Sequence, residues 1–511
     1  MGESLTVRDL DILTSWHSDW NGLRVAVFGA GATGFAVADT LIELGADVLV
    51  VAGTATVERA DLLELIGARL ILTPDDIVPR ALVDFAADVA VTSPGFPPDH
   101  PLIAFCGVRG IPIWCDIELA WRLRDKSGTP AEWIAVTGTN GKTTTVQLAV
   151  HLLRAAGRNA VGVGNIGVPV LDAVRSPERW DVLVVELSSF QLARMPRSGH
   201  GAIAPIASVC LNVADDHLDW HGSLAAYIDA KATVYANTKT ACVFNRADLA
   251  TRRMVEDATV LEGCRAIGFG LDAPGPGELG VVGDLLVDRA YLPDRHRSAH
   301  ELSTKAELDV LGLSSPHIVE DILAASALAG ACGVTTAQVA HALATFRLDH
   351  HRGEIVARLR GITWVDNSKA TNPHAAASAL SAYRPVVWIL GGLLKGTDLS
   401  ALIAGEAERL RGAVLIGSDR QPLVEAFARH APGIPVIEVV STETESVMSV
   451  AVQFAARLAQ EGDTVLLAPA AASMDQFVDY ADRGARFVSA VLAQGEEAER
   501  GESTGPSIGH A

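Results

Sequence analysis

Short apolar runs of strand length alternate along the chain with stretches whose apolar residues recur at helical spacing, and the runs end in turns rich in Gly, Pro, Ser and Asn. In the first 130 residues the runs are 23–28, 48–51 and 89–92. In the middle they are 133–136, 182–185 and 208–212, and towards the C-terminus 363–365, 386–390, 413–416, 436–440 and 464–467. Repetition of strand and then helix predicts an α/β fold with mostly parallel, helix-covered sheets. Residues 125–130 (DKSGTP) have linker composition and mark a first boundary. We expect three domains: a Rossmann-like N-terminal domain (1–130), a central ATPase domain of the P-loop type (131–346) and a C-terminal doubly wound α/β domain (347–495). The polar, Gly-rich residues 496–511 read as a disordered tail.

Length and charge narrow the chemistry. A chain of 511 residues suits about three domains at roughly 150 residues each. Its formal net charge of −20 argues against nucleic-acid binding and removes any general attraction to anionic membranes, so phosphorylated ligands must be held by local groups. The six cysteines form no CxxC pair and suit a reducing cytoplasm. The first twenty residues carry acids and no apolar core, unlike a secretory signal, and no apolar run reaches about 18 residues, so no membrane span is expected.

The clearest chemistry lies between the run 133–136 and the helical pattern that starts at Thr143. There Gly138, Thr139, Asn140, Gly141, Lys142, Thr143 and Thr144 follow a strand and open a helix, the arrangement that cradles phosphates on backbone N–H groups. Lys142 would reach the outer phosphates and the Thr143 hydroxyl a magnesium ion. Val136 stands where the general P-loop pattern needs Gly, so only the tighter TGTNGKT string remains. Glu186 ends the neighbouring apolar run, a position suited to holding magnesium through hard oxygens.

Two further stretches point to ligands. Gly29, Gly31 and Gly34 form a GxGxxG turn, but the second strand ends without the acidic residue a dinucleotide ribose requires, which counts against a dehydrogenase, and a nucleotide diphosphate other than NAD fits the pattern equally well. Ser93, Pro94 and Gly95 sit at the end of the run 89–92, where α/β sheets bind ligands, although an ordinary turn has the same composition. In the third domain Asp366, Lys369 and Thr371 follow one strand, Lys395 another and Ser473 the last. Two lysines and two hydroxyls at one sheet edge would suit a dicarboxylic amino acid.

The strings TGTNGKT, GNIG, ELSSFQ, LNVADDHLDWHG and the helix bearing Lys231 stand in the order and approximate spacing of the Mur ligases, and the chain resembles that family along nearly its whole length. The resemblance implies an ATP-dependent amide ligase of cytoplasmic peptidoglycan precursor synthesis that works through an acyl phosphate. It implies that Lys231 is carbamylated by CO2 and with His217 holds a second magnesium ion, Thr143 and Glu186 serving the first. Asn165, Ser188 and Gln191 then lie on the substrate path, and Ala32, Thr33, Ser93, Pro94 and Gly95 hold the UDP end of the substrate. Arg352 and Asp366 match positions that contact ATP. Where the family usually shows HNxxN, this chain reads His317-Ile318-Val319-Glu320-Asp321, so Asp321 replaces an amide near the nucleotide.

DNSKATN most resembles the D-glutamate-adding branch, which takes UDP-N-acetylmuramoyl-L-alanine as its other substrate. That match places Lys369, Thr371, Lys395 and Ser473 on substrate, with Tyr480 where the branch usually has Phe. A related Mur ligase or a folylpolyglutamate-type ligase with a different acceptor is the alternative within the class, and a nucleotide-gated switch without turnover is the alternative outside it. Motifs on separate domains predict that the third domain closes onto ATP before chemistry. The working form is expected to be a monomer.

Overall fold

The computed structural model describes residues 9–74, 77–440 and 444–502. These residues carry three sheets and fall into two compact units divided between Phe346 and Arg347. The first unit holds two of the sheets. Its N-terminal sheet contains β1 (Arg24–Phe28), β2 (Asp47–Ala52), β3 (Arg69–Leu72), β4 (Val89–Thr92) and β5 (Ile113–Cys115) in the order β3-β2-β1-β4-β5. All pairings are parallel. The order reverses between β1 and β4, and in doubly wound sheets the crevice beyond such a reversal receives ligand.

The second sheet is built from β6 (Glu132–Thr137), β7 (Ala160–Gly164), β8 (Val182–Glu186), β9 (Ala207–Cys210), β10 (Ala241–Asn245), β11 (Arg265–Phe269), β12 (Glu278–Val282), β13 (Leu285–Asp288) and β14 (His300–Thr304). Its order is β14-β13-β12-β11-β10-β9-β6-β8-β7. Strands β7 to β12 pair in parallel, and β13 and β14 add an antiparallel edge. Val182–Glu186 is buried at every position, as expected of a central parallel strand covered on both faces.

One continuous core joins these two sheets. Leu23, Val27, Trp121, Trp133, Leu171 and Leu183 belong to the same buried cluster. The Trp121 and Trp133 rings meet edge to face at 5.2 Å across residues 125–130. Arg175 adds ion pairs to Asp39 and Glu43.

The C-terminal unit contains β15 (Glu354–Leu359), β16 (Ile362–Asp366), β17 (Val386–Gly391), β18 (Leu410–Ile416), β19 (Val436–Glu438) and β20 (Thr464–Leu467), ordered β15-β16-β20-β17-β18-β19. Only the β15–β16 pair is antiparallel. The last helix, Tyr480–Glu502, runs into the stretch that composition assigns to a disordered tail. Residues 496–500 read Glu-Glu-Ala-Glu-Arg, all good helix formers that prolong a helix already anchored on the sheet by Phe487 and Val491. Residues 503–511 of the expected tail lie outside the described residues.

Candidate active site

The glycine loop expected to cradle phosphate is held from both sides. β6 ends at Thr137, and Gly138 (φ 155°) and Gly141 (φ 83°) take backbone angles that other residues rarely adopt. The helix Lys142–Ala155 starts from Gly141 with no side-chain cap at that residue, and a helix start of this kind suits an anion. Asn212 fixes the loop by accepting from Asn140 N (2.8 Å) and donating to Asn140 O (3.2 Å). Thr139 Oγ1 lies 3.0 Å from the Tyr227 hydroxyl. Lys142 folds back over the loop, its ammonium donating to the carbonyls of Gly138 and Thr139 at 2.8 Å each.

A Cβ on Gly141 would stand 2.3 Å from Asp321 Oδ1. That carboxylate, buried and accepting from Thr145 Oγ1 at 3.1 Å, occupies the place where the family pattern has an amide. Gly141→Ala should therefore lose nucleotide affinity at least tenfold in calorimetric titration with ADP, since it adds left-handed strain of about 1–2 kcal/mol and displaces Asp321.

Adjacency of β7, β8 and β6 sets the rest of the centre. Glu186 ends β8 beside Val136 and Gly164 and is 2 % exposed. Thr143 Oγ1 donates to its Oε2 at 2.8 Å, and Asn165 Nδ2 to its Oε1 at 3.0 Å. A carboxylate and a hydroxyl buried at the start of a helix that opens from a glycine turn form a hard-oxygen donor set that fits magnesium. Thr144, next in the helix, is buried.

Lys231 reaches the same loop from the helix Leu224–Ala232. It is 1 % exposed, donates to Gly138 O at 2.8 Å, and lies 4.6 Å from the centre of the Tyr227 ring. Burial, and then the charge of Lys142, pull its ammonium down to about 7. His217 precedes that helix in a left-handed conformation (φ 53°) and packs on Phe190 at 4.7 Å. Burial lowers its pKa, against the opposing pull of Asp216. Lys142, Thr143, Asn165, Glu186, Lys231 and Asp321 are thus gathered around one turn, with His217 at its rim.

The N-terminal sheet supplies the crevice at the β1–β4 reversal. Gly29 follows β1 and Ser93 follows β4, so close that a Cβ on Gly29 would lie 2.6 Å from Ser93 Oγ. Gly34 packs on Gly29 O with no room for a Cβ (1.9 Å). Ala32 is exposed and Thr33 half-buried at the start of the next helix, and Pro94 and Gly95 continue the β4 loop.

Ser188 and Gln191 are also tied into the fold. Ser188 caps the helix Ser189–Arg194, and Gln191 returns its Oε1 to Ser188 N at 3.0 Å. Gln191 Nε2 donates to the buried Asp116 at 3.0 and 3.3 Å, tying the end of the first sheet to the second.

Burial raises Asp116 from 3.8 to about 6. Its protonated form is the one the folded chain favours, so its stabilising contribution is full below about pH 4 and is lost as pH rises through 6. Asp116→Asn should raise the unfolding free energy at pH 8 by up to about 3 kcal/mol, at about 1.4 kcal/mol per pKa unit. In melting curves taken at several pH values the gain should vanish near pH 4.

In the C-terminal unit Asp366 is fully buried and already engaged. Its Oδ1 accepts from Ser368 N (2.9 Å), and its Oδ2 pairs with His351 Nδ1 (2.6 Å). That hydrogen bond raises the His351 pKa. Neighbouring Arg352 is half-buried. The Lys369 ammonium lies 3.8 Å from the centre of the Tyr480 ring, a contact that needs only the aromatic face. Thr371 N donates to Lys369 O at 2.8 Å. Ser473 is buried, its carbonyl accepting from Phe477 N. Lys395, in a left-handed conformation, lines a cavity of about 560 Å³ with Thr397, Ser418, Arg429 and Asp475, which Lys369, Thr371 and Ser473 do not line.

Beneath this loop Arg483 is wholly buried, donating to Ser368 Oγ and O and to Ala471 O. His351, Arg483 and Asp116 carry no motif signal; each becomes visible only when strands distant in sequence are brought side by side.

Residues 136–329 match the model of the Mur ligase middle domain, and 351–471 that of the Mur ligase glutamate ligase domain. The chain is 60 % identical over 489 residues to a UDP-N-acetylmuramoylalanine--D-glutamate ligase of Leifsonia xyli, covering 94 % of this chain and 95 % of that protein. It is 48 % identical to the protein of that name from Streptomyces coelicolor, covering 94 % and 99 %. Among solved structures, a UDP-N-acetylmuramate-alanine ligase of Thermotoga maritima is similar with TM-score 0.55 at 20 % identity, covering 92 % of this chain and 99 % of that one. That likeness bears on the fold.

Proposed function

The chain belongs to the Mur ligase family, and from that premise we propose that it joins D-glutamate to UDP-N-acetylmuramoyl-L-alanine at the expense of ATP, in peptidoglycan precursor synthesis. The observation that carries the reading is the convergence of Lys142, Thr143, Glu186 and Lys231 on a single glycine turn that opens a helix. Phosphoryl transfer asks little of a protein beyond such positioning and charge neutralisation.

A carboxylate is a poor electrophile. The γ-phosphoryl group of ATP passes to the alanyl carboxylate, giving an acyl phosphate and ADP. The amine of D-glutamate then attacks the acyl carbon, phosphate leaves, and an amide remains. Lys142 exchanges the carbonyls of Gly138 and Thr139 for phosphate oxygens. The N–H groups of the helix start behind Gly141 share that charge. Asn165 keeps Glu186 oriented through its 3.0 Å bond.

Thr143 with Glu186, and His217 with Lys231 as its carbamate, would hold two magnesium ions, whose chemistry is to neutralise charge developing on the transferred phosphoryl group. For Lys231, CO2 adds to the neutral amine with loss of one proton, and a pKa near 7 keeps that amine available at neutral pH. Lys369, Thr371, Lys395 and Ser473 are assigned to the incoming amino acid and Arg352 with Asp366 to ATP. Among the described residues no helix is long and apolar enough to cross a membrane.

The test is ADP release and amide formation from the UDP-sugar substrate with a panel of amino-acid acceptors. D-Glutamate should be strongly preferred. Preference for another acceptor moves the chain to a related branch, and ADP release without any acceptor or UDP-sugar rejects the ligase reading.

A further inference from the structure

Arg194 ends the short helix that Ser188 caps, and its environment is unusual for an arginine. Its guanidinium donates from Nη2 to Phe96 O at 2.7 Å, in the loop that follows β4. It lies 5.8 Å from the centre of the Trp220 ring. Its Nε is buried with no hydrogen-bond partner, and among the described residues the side chain forms no ion pair. Desolvation accordingly lowers its pKa. A half-buried cation with one neutral acceptor is costly in any protein and is normally offset by an anion. It is conspicuous in a chain of net charge −20, where a carboxylate partner was easily supplied.

The location says which anion. Phe96 packs on Phe28, the last residue of β1, at 6.1 Å, and Ser93 three residues before it lies against Gly29. Arg194 therefore stands at the β1–β4 reversal, where the sheet order opens a crevice beyond the strand ends. From the other side it abuts the aromatic group of Phe190, Trp220 and His217 at the rim of the phosphate loop. The guanidinium thus touches both the loop beside the crevice of the first sheet and the aromatic group beside the reaction centre of the second, where a ligand joining the two would run. Planar, always charged and forked, it matches a phosphate oxygen pair.

We propose that Arg194 is a substrate-binding residue that, with the loop at Ser93–Phe96, forms a subsite for the diphosphate of a nucleotide-sugar substrate. This rests on the reading above that the substrate is a UDP-sugar. The arginine sets specificity: it selects ligands carrying the diphosphate over the bare nucleoside, and it orients the sugar end toward His217.

The test uses the full chain with UDP and uridine as probes, read as competition against the UDP-sugar substrate, together with steady-state kinetics. In Arg194→Gln the inhibition constant of UDP should rise about ten- to hundredfold, the worth of a charge-assisted hydrogen bond. That of uridine should stay within twofold, and Arg194→Lys should recover part of the loss. KM for the UDP-sugar should rise while KM for ATP and D-glutamate and kcat hold. Equal weakening of UDP and uridine would mean that Arg194 only props the loop and would overturn the subsite, as would unchanged UDP inhibition in a folded variant or a wild-type chain indifferent to UDP. Absence of amide formation by the wild-type chain is a separate result, which rejects the ligase reading.

Discussion

Lys231→Ala should lower the rate of ADP release by about 10²–10³-fold, the usual loss when one charge-stabilising group is removed from a preorganised site, and millimolar formate or acetate should restore part of it. The side chain is enclosed, so its removal leaves a slot beside Gly138 O in the glycine loop. A small acid can place two oxygens there. Lys231→Arg is the control: guanidinium cannot become neutral in the working range, adds no CO2, and leaves no slot, so it should be as inactive as the Ala variant and immune to rescue. Retention of wild-type rate in either variant refutes the carbamate assignment, and thermal melting of both checks that the fold survives.

Arg483→Leu should destabilise the C-terminal unit by about 3–5 kcal/mol, read as a shift in its denaturant midpoint. The side chain is fully enclosed and satisfies two carbonyls and one hydroxyl in two separate loops, those of Ser368 and Ala471. Leucine fills part of the volume but leaves three acceptors without donors, at about 1–3 kcal/mol each before relaxation. Burial brings the Arg483 pKa down to about 10, so the charge is present throughout the neutral range and the effect should not vary between pH 6 and 8. The same substitution should raise KM for the amino acid, because Lys369 hangs from the loop that Arg483 holds.

The glycine loop and parallel strands such as β6, β8 and β17 were legible because each is written locally, whereas β3, β5, β7 and β10 to β12, some only three or four residues long, were not singled out. Val182–Val185 is an unbroken apolar run before a single acid, and Gly138 and Gly141 are glycines at the two positions whose φ demands them. Glu186 could be picked out because a strand end next to a phosphate loop has few roles. The antiparallel edges β13–β14 and β15 were not legible, since strands such as Glu354–Leu359 are only half-buried and their pairing is decided by neighbours far along the chain. Gln191 shows the limit on the site side. Its motif points to substrate, and the structure adds bonds to Ser188 and to Asp116, 75 residues away, a contact that no spacing rule encodes. Arg483 was invisible for the opposite reason: a charged residue in a helical pattern reads as solvated, and only the three acceptors gathered from two loops bring it inside.

The single core running beneath the first two sheets has a practical corollary. Residues 125–130 have the composition of a hinge, but severing the chain there would bare Trp121 on one fragment and Trp133 on the other, and neither piece should remain in solution alone. The crevice of the first sheet and the glycine turn of the second are therefore inherited as one block, and domain exchange among homologues should find its tolerated junction near residue 346 instead.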